Sequence, residues 1–332
     1  MDYKKLLAMA VVAVLLVSFI IYNEHMAAFR NEVKSGRVSL TSSSFLSYDT
    51  DSDSELLQRI RREAIKLRIA PIDARVDRIW RAIPGYNGLE ADVEKTYIAA
   101  RNLPAEAPIP WVYREVTPKV SLDDLGREPI YRGNPQKKMA ALMINVAWGN
   151  EFLPPMLQTL QEEKVKATFF LDGSWLKKNA DLARLIQADG HEISNHAYSH
   201  PDMKNLSRSA AYEQIAKTEA LLKSTLSVSN RLFAPPSGSF NKMTVDVAAE
   251  QGLKTVLWTL DTVDWKHPPA SSLVQKIKTR VEPGSLILMH PTDSSSEALK
   301  GMIQAIKNKG LALGTVSELL SPNRVEAVET GH

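Results

Sequence analysis

Cysteine is absent from the 332 residues, so disulfides and thiolate metal sites are excluded, and any metal must rely on His, Asp and Glu. Charge of one sign is scarce: 41 Lys and Arg against 38 Asp and Glu leave a formal net charge of +3. No Lys/Arg-rich run is interleaved with aromatics, and a nucleic-acid partner is not expected. No Gly-rich phosphate loop follows the first apolar run of the C-terminal half, which argues against a nucleotide fold. The remaining absence concerns one stretch, "MINVAWGNEFLPPML" (Met143 to Leu157). An apolar run, a Gly and a helical pattern frame the place of an enzyme's acidic motif, yet the stretch contains no Asp.

What is present is ordinary for a globular protein, with 44% hydrophobic and 24% charged residues. The length suits one large domain with a smaller segment. At the N-terminus, Lys4 and Lys5 precede an apolar run from Leu6 to Tyr22 broken only by Ser18. That run is close to the length needed to cross roughly 30 Å of hydrocarbon. The positive flank places residues 1–5 in the cytoplasm, makes 6–22 a transmembrane anchor and directs the rest outward. The competing reading is a cleaved signal peptide, but "FIIYNEH" offers no small residue for cleavage before Ala27 and Ala28. The expected location is the cell membrane, single-pass, with the C-terminal domain extracytoplasmic.

Residues 23–53 are Ser/Thr/Asp-rich and read as a tether. Residues 54–103 read as a small helical segment. Its first helix has Leu57, Ile60, Ala64 and Leu67 in phase, its second has Ile72, Val76, Ile79, Trp80 and Ile83, and a weaker third covers Leu89 to Ala100. Residues 104–137 contain six prolines and read as an extended linker.

From 138 to 321 short apolar runs alternate with amphipathic stretches, before a tail at 322–332. The runs are "MAALMINV", "KATFFL", "HEIS", "RLFA", "KTVLWTL", "GSLILMH" and "GLALG". Seven such units predict an α/β fold with parallel strands and crossover helices, closed as a barrel or open and doubly wound. Either way, polar residues just after the strands gather at one face. Those residues are Asn145, the pair His196 and His200, the loop "APPSG" at 234–238, Asp261 with Asp264 and Trp265, and His290. Singly, each has a plain explanation. His-x-x-x-His is common, Asp caps helices, Trp265 packs, and His290 is a satisfied core histidine. Their coincidence at the strand ends of one sheet favours a site.

The stretches "GHEISNHAYSHPDM", "KATFFLDG", "APPSGSFN", "LWTLDTVDW" and "GSLILMH" resemble the NodB-homology polysaccharide deacetylases, carbohydrate esterase family four, over about residues 138–320. "NVAWGNE" resembles that family's membrane-anchored, sporulation-associated branch. The resemblance implies a distorted (β/α)7 barrel and removal of acetyl groups from N-acetylated glycans such as peptidoglycan or chitin oligomers. It implies a divalent metal held by one Asp and two His, which polarises the acetamide and binds a water, and an Asp acting as general base. A His held by another Asp protonates the leaving amine. His196 and His200 match the metal-ligand pair, His290 the acid, and Asp264 its orienting Asp. Trp265, Asp261, Pro236 and Ser237 match the substrate-binding loops.

The family pattern T-F-D-D-G is not met. Asn145 is read in place of the base Asp and Val146 in place of the metal Asp. Ala197 replaces a Ser or Thr, Ala234 an Arg that pairs with the base, and Ser237 a Tyr. Two imidazoles alone leave at most a weakly bound divalent metal, zinc or similar, unless Glu151 supplies a substitute carboxylate. The functions in contention are a glycan-binding relative with weak or absent activity, an active N-deacetylase using Glu151, and a membrane-tethered scaffold.

Overall fold

The computed structural model describes residues 50–325. The expected anchor and residues 23–49 of the tether lie outside the described residues, as does the tail beyond 325. Among the described residues no helix is long and apolar enough to cross a membrane.

The chain runs through α1 (Thr50–Lys66), β1 (Arg75–Asp77), β2 (Arg81–Ile83), β3 (Gly88–Ala91), α2 (Val93–Ala100) and β4 (Tyr113–Val116). The larger part follows: β5 (Met139–Val146), α3 (Leu153–Glu162), β6 (Thr168–Leu171), α4 (Gly173–Lys178), α5 (Ala180–Ala188), β7 (Glu192–Asn195), α6 (Arg208–Leu226), β8 (Leu232–Phe233), α7 (Lys242–Glu250), β9 (Lys254–Thr255) and β10 (Leu260–Asp261). It ends with α8 (Ala270–Arg280), β11 (Leu286–Met289), α9 (Asp293–Lys307), β12 (Ala312–Gly314) and α10 (Val316–Leu320).

The main sheet has the order β10-β11-β5-β6-β7-β8-β9, with β12 also on β5. Its pairs are parallel throughout. Every residue of β5 is buried, because helices cover one face and the curled sheet's own interior the other. Ala140, Leu142, Ile144 and Val146 pack outward on helical residues including Leu153, Met156, Leu299 and Met302. Ala141 and Met143 point inward, with Phe170, Leu232, Val256 and Leu286. Each of the Val, Leu, Ile, Met and Phe side chains among them contributes roughly 1.5–3 kcal/mol on burial.

The sheet curls into a parallel half-barrel, in keeping with the expected distorted (β/α)7 fold. The run "KTVLWTL", taken as one strand, divides into β9 and the start of β10, which sit at opposite ends of the sheet. Ile130 stitches the seam: its N–H donates to Thr255 O at 2.9 Å, and its carbonyl accepts from Leu257 N at 2.7 Å. Thr259 N then donates to Leu286 O at 2.9 Å. Residues read as linker are thus part of the barrel wall.

The small helical segment is corrected too. Only α1 and α2 are helices; Ile72 to Ile83 form a β-hairpin, β1 with β2, and β3 pairs with β4 of the supposed linker. Asp77 turns the chain by accepting from Ile79 N and Trp80 N, both at 2.8 Å. Val76 and Ile79 are 48% and 73% exposed, so their helical spacing marks no buried face.

Two buried histidines make stability depend on pH. His191 lies on the Phe169 ring and its Nδ1 accepts from Ala167 N at 3.3 Å; burial pulls its pKa down to about 4. Burial also pulls His196 down to about 3. Both folded values lie below the ordinary 6.5, so as pH falls the unfolded chain takes up protons first. Stability should fall from about pH 6.5 toward pH 4, by on the order of 2 kcal/mol at about pH 5 for His196 alone. Urea midpoints measured at about pH 7 and about pH 5 should show this loss, and it should be smaller in His191→Gln. An unchanged pH dependence in that variant would remove His191 from the account.

Candidate functional site

The C-terminal ends of β5, β7, β8 and β11 converge at one face, and there the sequence-predicted histidines meet. β7 ends at Asn195, whose Oδ1 accepts from Ala197 N at 2.8 Å and whose Nδ2 donates to Glu219 and to Ile215 O. This anchoring fixes the turn that carries His196, and Ala197 and His200 take left-handed φ of 60° and 53° within it. His196 is buried and its Nδ1 lies 2.8 Å from Ala234 O, while His200 is exposed. The two rings stand edge to face, with centroids 5.2 Å apart. Ala234 therefore serves the site through its backbone carbonyl.

His290 follows β11. Its Nδ1 lies 2.8 Å from Asp264 Oδ1, its backbone N donates to Asp264 Oδ2 at 2.5 Å, and Ser295 Oγ donates to the same oxygen at 2.5 Å. Asp264 is fully buried and the His290 side chain 17% exposed. With Nδ1 held by the carboxylate, Nε2 is left to face the site, the arrangement that fixes a tautomer. Trp265 next to it is 51% exposed, with Lys266 Nζ 4.9 Å from its ring centroid.

Other predicted residues shape loops. Asp261 Oδ1 accepts from Val263 N at 2.7 Å, supporting the left-handed Val263, so its carboxylate is engaged in a turn. Pro236 is buried in the short 3-10 turn Pro236–Gly238, while Ser237 is exposed with φ of 54°. Glu151 sits exposed on the turn Asn150–Phe152. Among the described residues, no group of three His, Asp or Glu is placed to hold a metal, so Glu151 does not join His196 and His200. The donor set present is two imidazoles, and it does not fit a tightly held divalent ion.

The placement of the missing carboxylates is corrected by the pleat of β5. Val146 is fully buried on the outer face, packed in the helical layer, so its side chain cannot reach a metal on the inner side. Asn145 points inward but is only 3% exposed, below the mouth, and its Oδ1 has no hydrogen-bond partner. The residues that reach the mouth are Ala147 and Trp148. The Trp148 ring stacks on His290, with centroids 5.6 Å apart and planes 17° from parallel, and it is 45% exposed. Gly149 anchors the register. It has φ of 80°, and a Cβ there would lie 2.0 Å from Pro291 O. With this glycine as the G of T-F-D-D-G, the two Asp positions fall on Ala147 and Trp148. The sequence signal for that register is Gly149 itself. For Ser295, the third donor to Asp264, the sequence carries none.

A polysaccharide deacetylase family model matches residues 132–256. The chain is 32% identical over 199 residues to a peptidoglycan-N-acetylglucosamine deacetylase of Bacillus cereus, covering 58% of this chain and 72% of that one. The crystal structure of a CE4 family pseudoenzyme from Bacillus anthracis matches with a TM-score of 0.76 and 44% identity, covering 82% of this chain and 96% of that one. A mutant of that pseudoenzyme with restored enzymatic activity matches with a TM-score of 0.76 and 42% identity over 81% of this chain and 99% of its own. On the fold, the retained histidines and these likenesses together, the chain belongs to the NodB-homology polysaccharide deacetylases, carbohydrate esterase family four.

Proposed function

We propose that this protein is a membrane-anchored, extracytoplasmic member of the family that binds N-acetylated cell-wall glycan without turning it over, in a sporulation setting. The observation that carries the reading is the Trp148 ring stacked on His290, at a position where the family pattern has an aspartate. An indole cannot ligate a metal through its face, and it covers one side of the imidazole that the family resemblance makes the acid. The 44% identity to a pseudoenzyme supports the same reading. The glycan class rests on the likeness to the peptidoglycan-N-acetylglucosamine deacetylase of Bacillus cereus. The membrane location rests on Lys4, Lys5 and the apolar run that follows. His196 and His200 are the residues to which a weakly held divalent metal is assigned.

Calorimetry with N-acetylchitooligosaccharides and soluble peptidoglycan tests this, beside assays of acetate release with zinc, cobalt or manganese. The expected result is saturable binding, no sustained acetate release and no metal retained through dialysis. Trp265→Ala should weaken binding about tenfold, as loss of an aromatic stacking face does. Metal-dependent acetate release abolished by Glu151→Gln would replace this reading with an active enzyme. Absence of any glycan affinity would leave the tethered scaffold.

A further inference from the structure

The hairpin of β1 and β2 stands at the opposite end of the barrel from the His290 mouth. Arg132 ties it there. Its Nη2 donates to Pro283 O at 2.9 Å, and its guanidinium lies 5.5 Å from the centroid of the Trp80 ring. Gly133 N donates to Gly284 O at 2.8 Å. Pro283 and Gly284 lead into β11, so they mark the N-terminal ends of the parallel strands, whereas the mouth lies at the C-terminal ends. The tip of the hairpin is apolar and basic at once. Ile79 is 73% exposed and Val76 48%. Arg75 and Arg78 beside them are exposed, with no ion pair among the described residues. Asp77, the one carboxylate of the tip, is turned onto Ile79 N and Trp80 N and closes the turn. The charge of Arg132 behind the tip is offset by Glu282. From Arg59 to Arg81 the chain carries eight Lys and Arg against three Asp and Glu, an excess greater than the +3 of all 332 residues.

We infer that the tip of this hairpin docks on the anionic lipid surface, with Val76 and Ile79 entering the headgroup layer and Arg75 and Arg78 on lipid phosphates. The inference rests on the membrane-anchored reading above and extends it. An apolar side chain that enters the interface leaves water, and an arginine beside it meets phosphate in a forked, charge-assisted pair. Near an anionic surface each such cation adds about fivefold to binding. Two arginines alone are therefore a weak hold, and the anchor makes it sufficient. Even fully extended, residues 23–49 span at most roughly 90–100 Å, so the hairpin stays near the bilayer and docking is an intramolecular step. Because Arg132 fixes the hairpin to the barrel, docking also fixes the attitude of the barrel. Tip and mouth lie at opposite ends, so the docked domain opens its His290 mouth away from the membrane, where a wall glycan would approach.

The test uses the full-length chain reconstituted in vesicles of phosphatidylcholine, with and without phosphatidylglycerol. The chain has no cysteine, so Ile79→Cys gives a single site for an apolar fluorophore. Glu151→Cys, exposed on the mouth side, gives the control. Brominated lipid should quench the label at position 79 strongly in the anionic vesicles, and the label at 151 little in either. In Arg75→Glu/Arg78→Glu/Ile79→Cys the quenching should fall to the level at 151, with vesicle flotation and circular dichroism unchanged. A chain that floats with the vesicles while position 79 is quenched no more than 151 would overturn the docking and leave the anchor in place. Quenching at 79 that survives the charge reversal would also overturn it, since the arginines are what select the lipid. A chain that does not float with either vesicle would overturn both the anchor and the docking.

Discussion

Aspartate at both 147 and 148 should give this chain metal-dependent acetate release from N-acetylchitooligosaccharides, where the parent gives none. The Trp148→Asp change removes the ring stacked on His290 and adds the anionic donor that His196 and His200 lack. The Ala147→Asp change adds a carboxylate on the inward side of the same strand end. Neither alone should suffice, because a base contributes about 10²–10⁴-fold only where a firmly held metal water exists to be deprotonated. Adding Ala234→Arg supplies the cation that the family pairs with the base, and should raise the gain further. The control is Asn145→Asp/Val146→Asp, the change suggested by the sequence alone. Val146 is fully buried in the helical layer, so a carboxylate there lacks partners, costs several kcal/mol and yields an unstable, inactive protein. Acetate release by the 145/146 variant and none by the 147/148 variant would show the register argued from Gly149 to be wrong. The Bacillus anthracis pseudoenzyme has a mutant with restored enzymatic activity, so a scaffold this similar does support recovery.

The two-residue difference between those registers shows where sequence reasoning failed. The run "MAALMINV" is β5, Met139–Val146, as its apolar continuity indicates. Asn145 is the first polar residue in it and so drew the acidic motif to itself. Period-two alternation places Val146 outward and Ala147 inward, but a strand buried on both faces shows no alternation in its own residues, so the sequence could not orient it. The other strand ends were legible because His290 stands directly after an apolar run and His196 and Asp264 within a few residues of one. The 72–83 hairpin was misread for a related reason. Ile72, Val76, Ile79, Trp80 and Ile83 keep helical spacing, yet the hairpin is held by Asp77 at the turn and by long-range contacts such as Ala82 N to Pro129 O at 3.1 Å. Such partners, distant in sequence, override local period. The division of "KTVLWTL" has the same origin, since Ile130, more than a hundred residues earlier, supplies the pairing.

Asp264→Ala should be among the most destabilising single changes available in this domain, although the protein is read as non-catalytic. If the His290–Asp264 pair persisted only as a remnant of chemistry, its loss would be neutral. The geometry says otherwise. Asp264 is fully buried: its Oδ2 accepts from His290 N and from Ser295 Oγ, both at 2.5 Å, and its Oδ1 lies 2.8 Å from His290 Nδ1. These contacts tie the 264–266 turn to the end of β11 and the first turn of α9. Truncation leaves those partners buried and unmatched, at a cost of about 3–5 kcal/mol, a large share of the roughly 5–15 kcal/mol that holds a domain together. Thermal and urea unfolding should show the loss directly. Asp264→Asn, which keeps the shape and one acceptor, should lose less. His290→Gln should also lose less than Asp264→Ala, since it leaves the backbone N–H and Ser295 bonded to the carboxylate. It should nonetheless weaken glycan binding, because Trp148 loses the ring against which it stacks. A change of under about 1 kcal/mol in Asp264→Ala, within the range of an ordinary surface substitution, would show that the pair is dispensable to the fold. Its presence here would then have to be explained by binding alone.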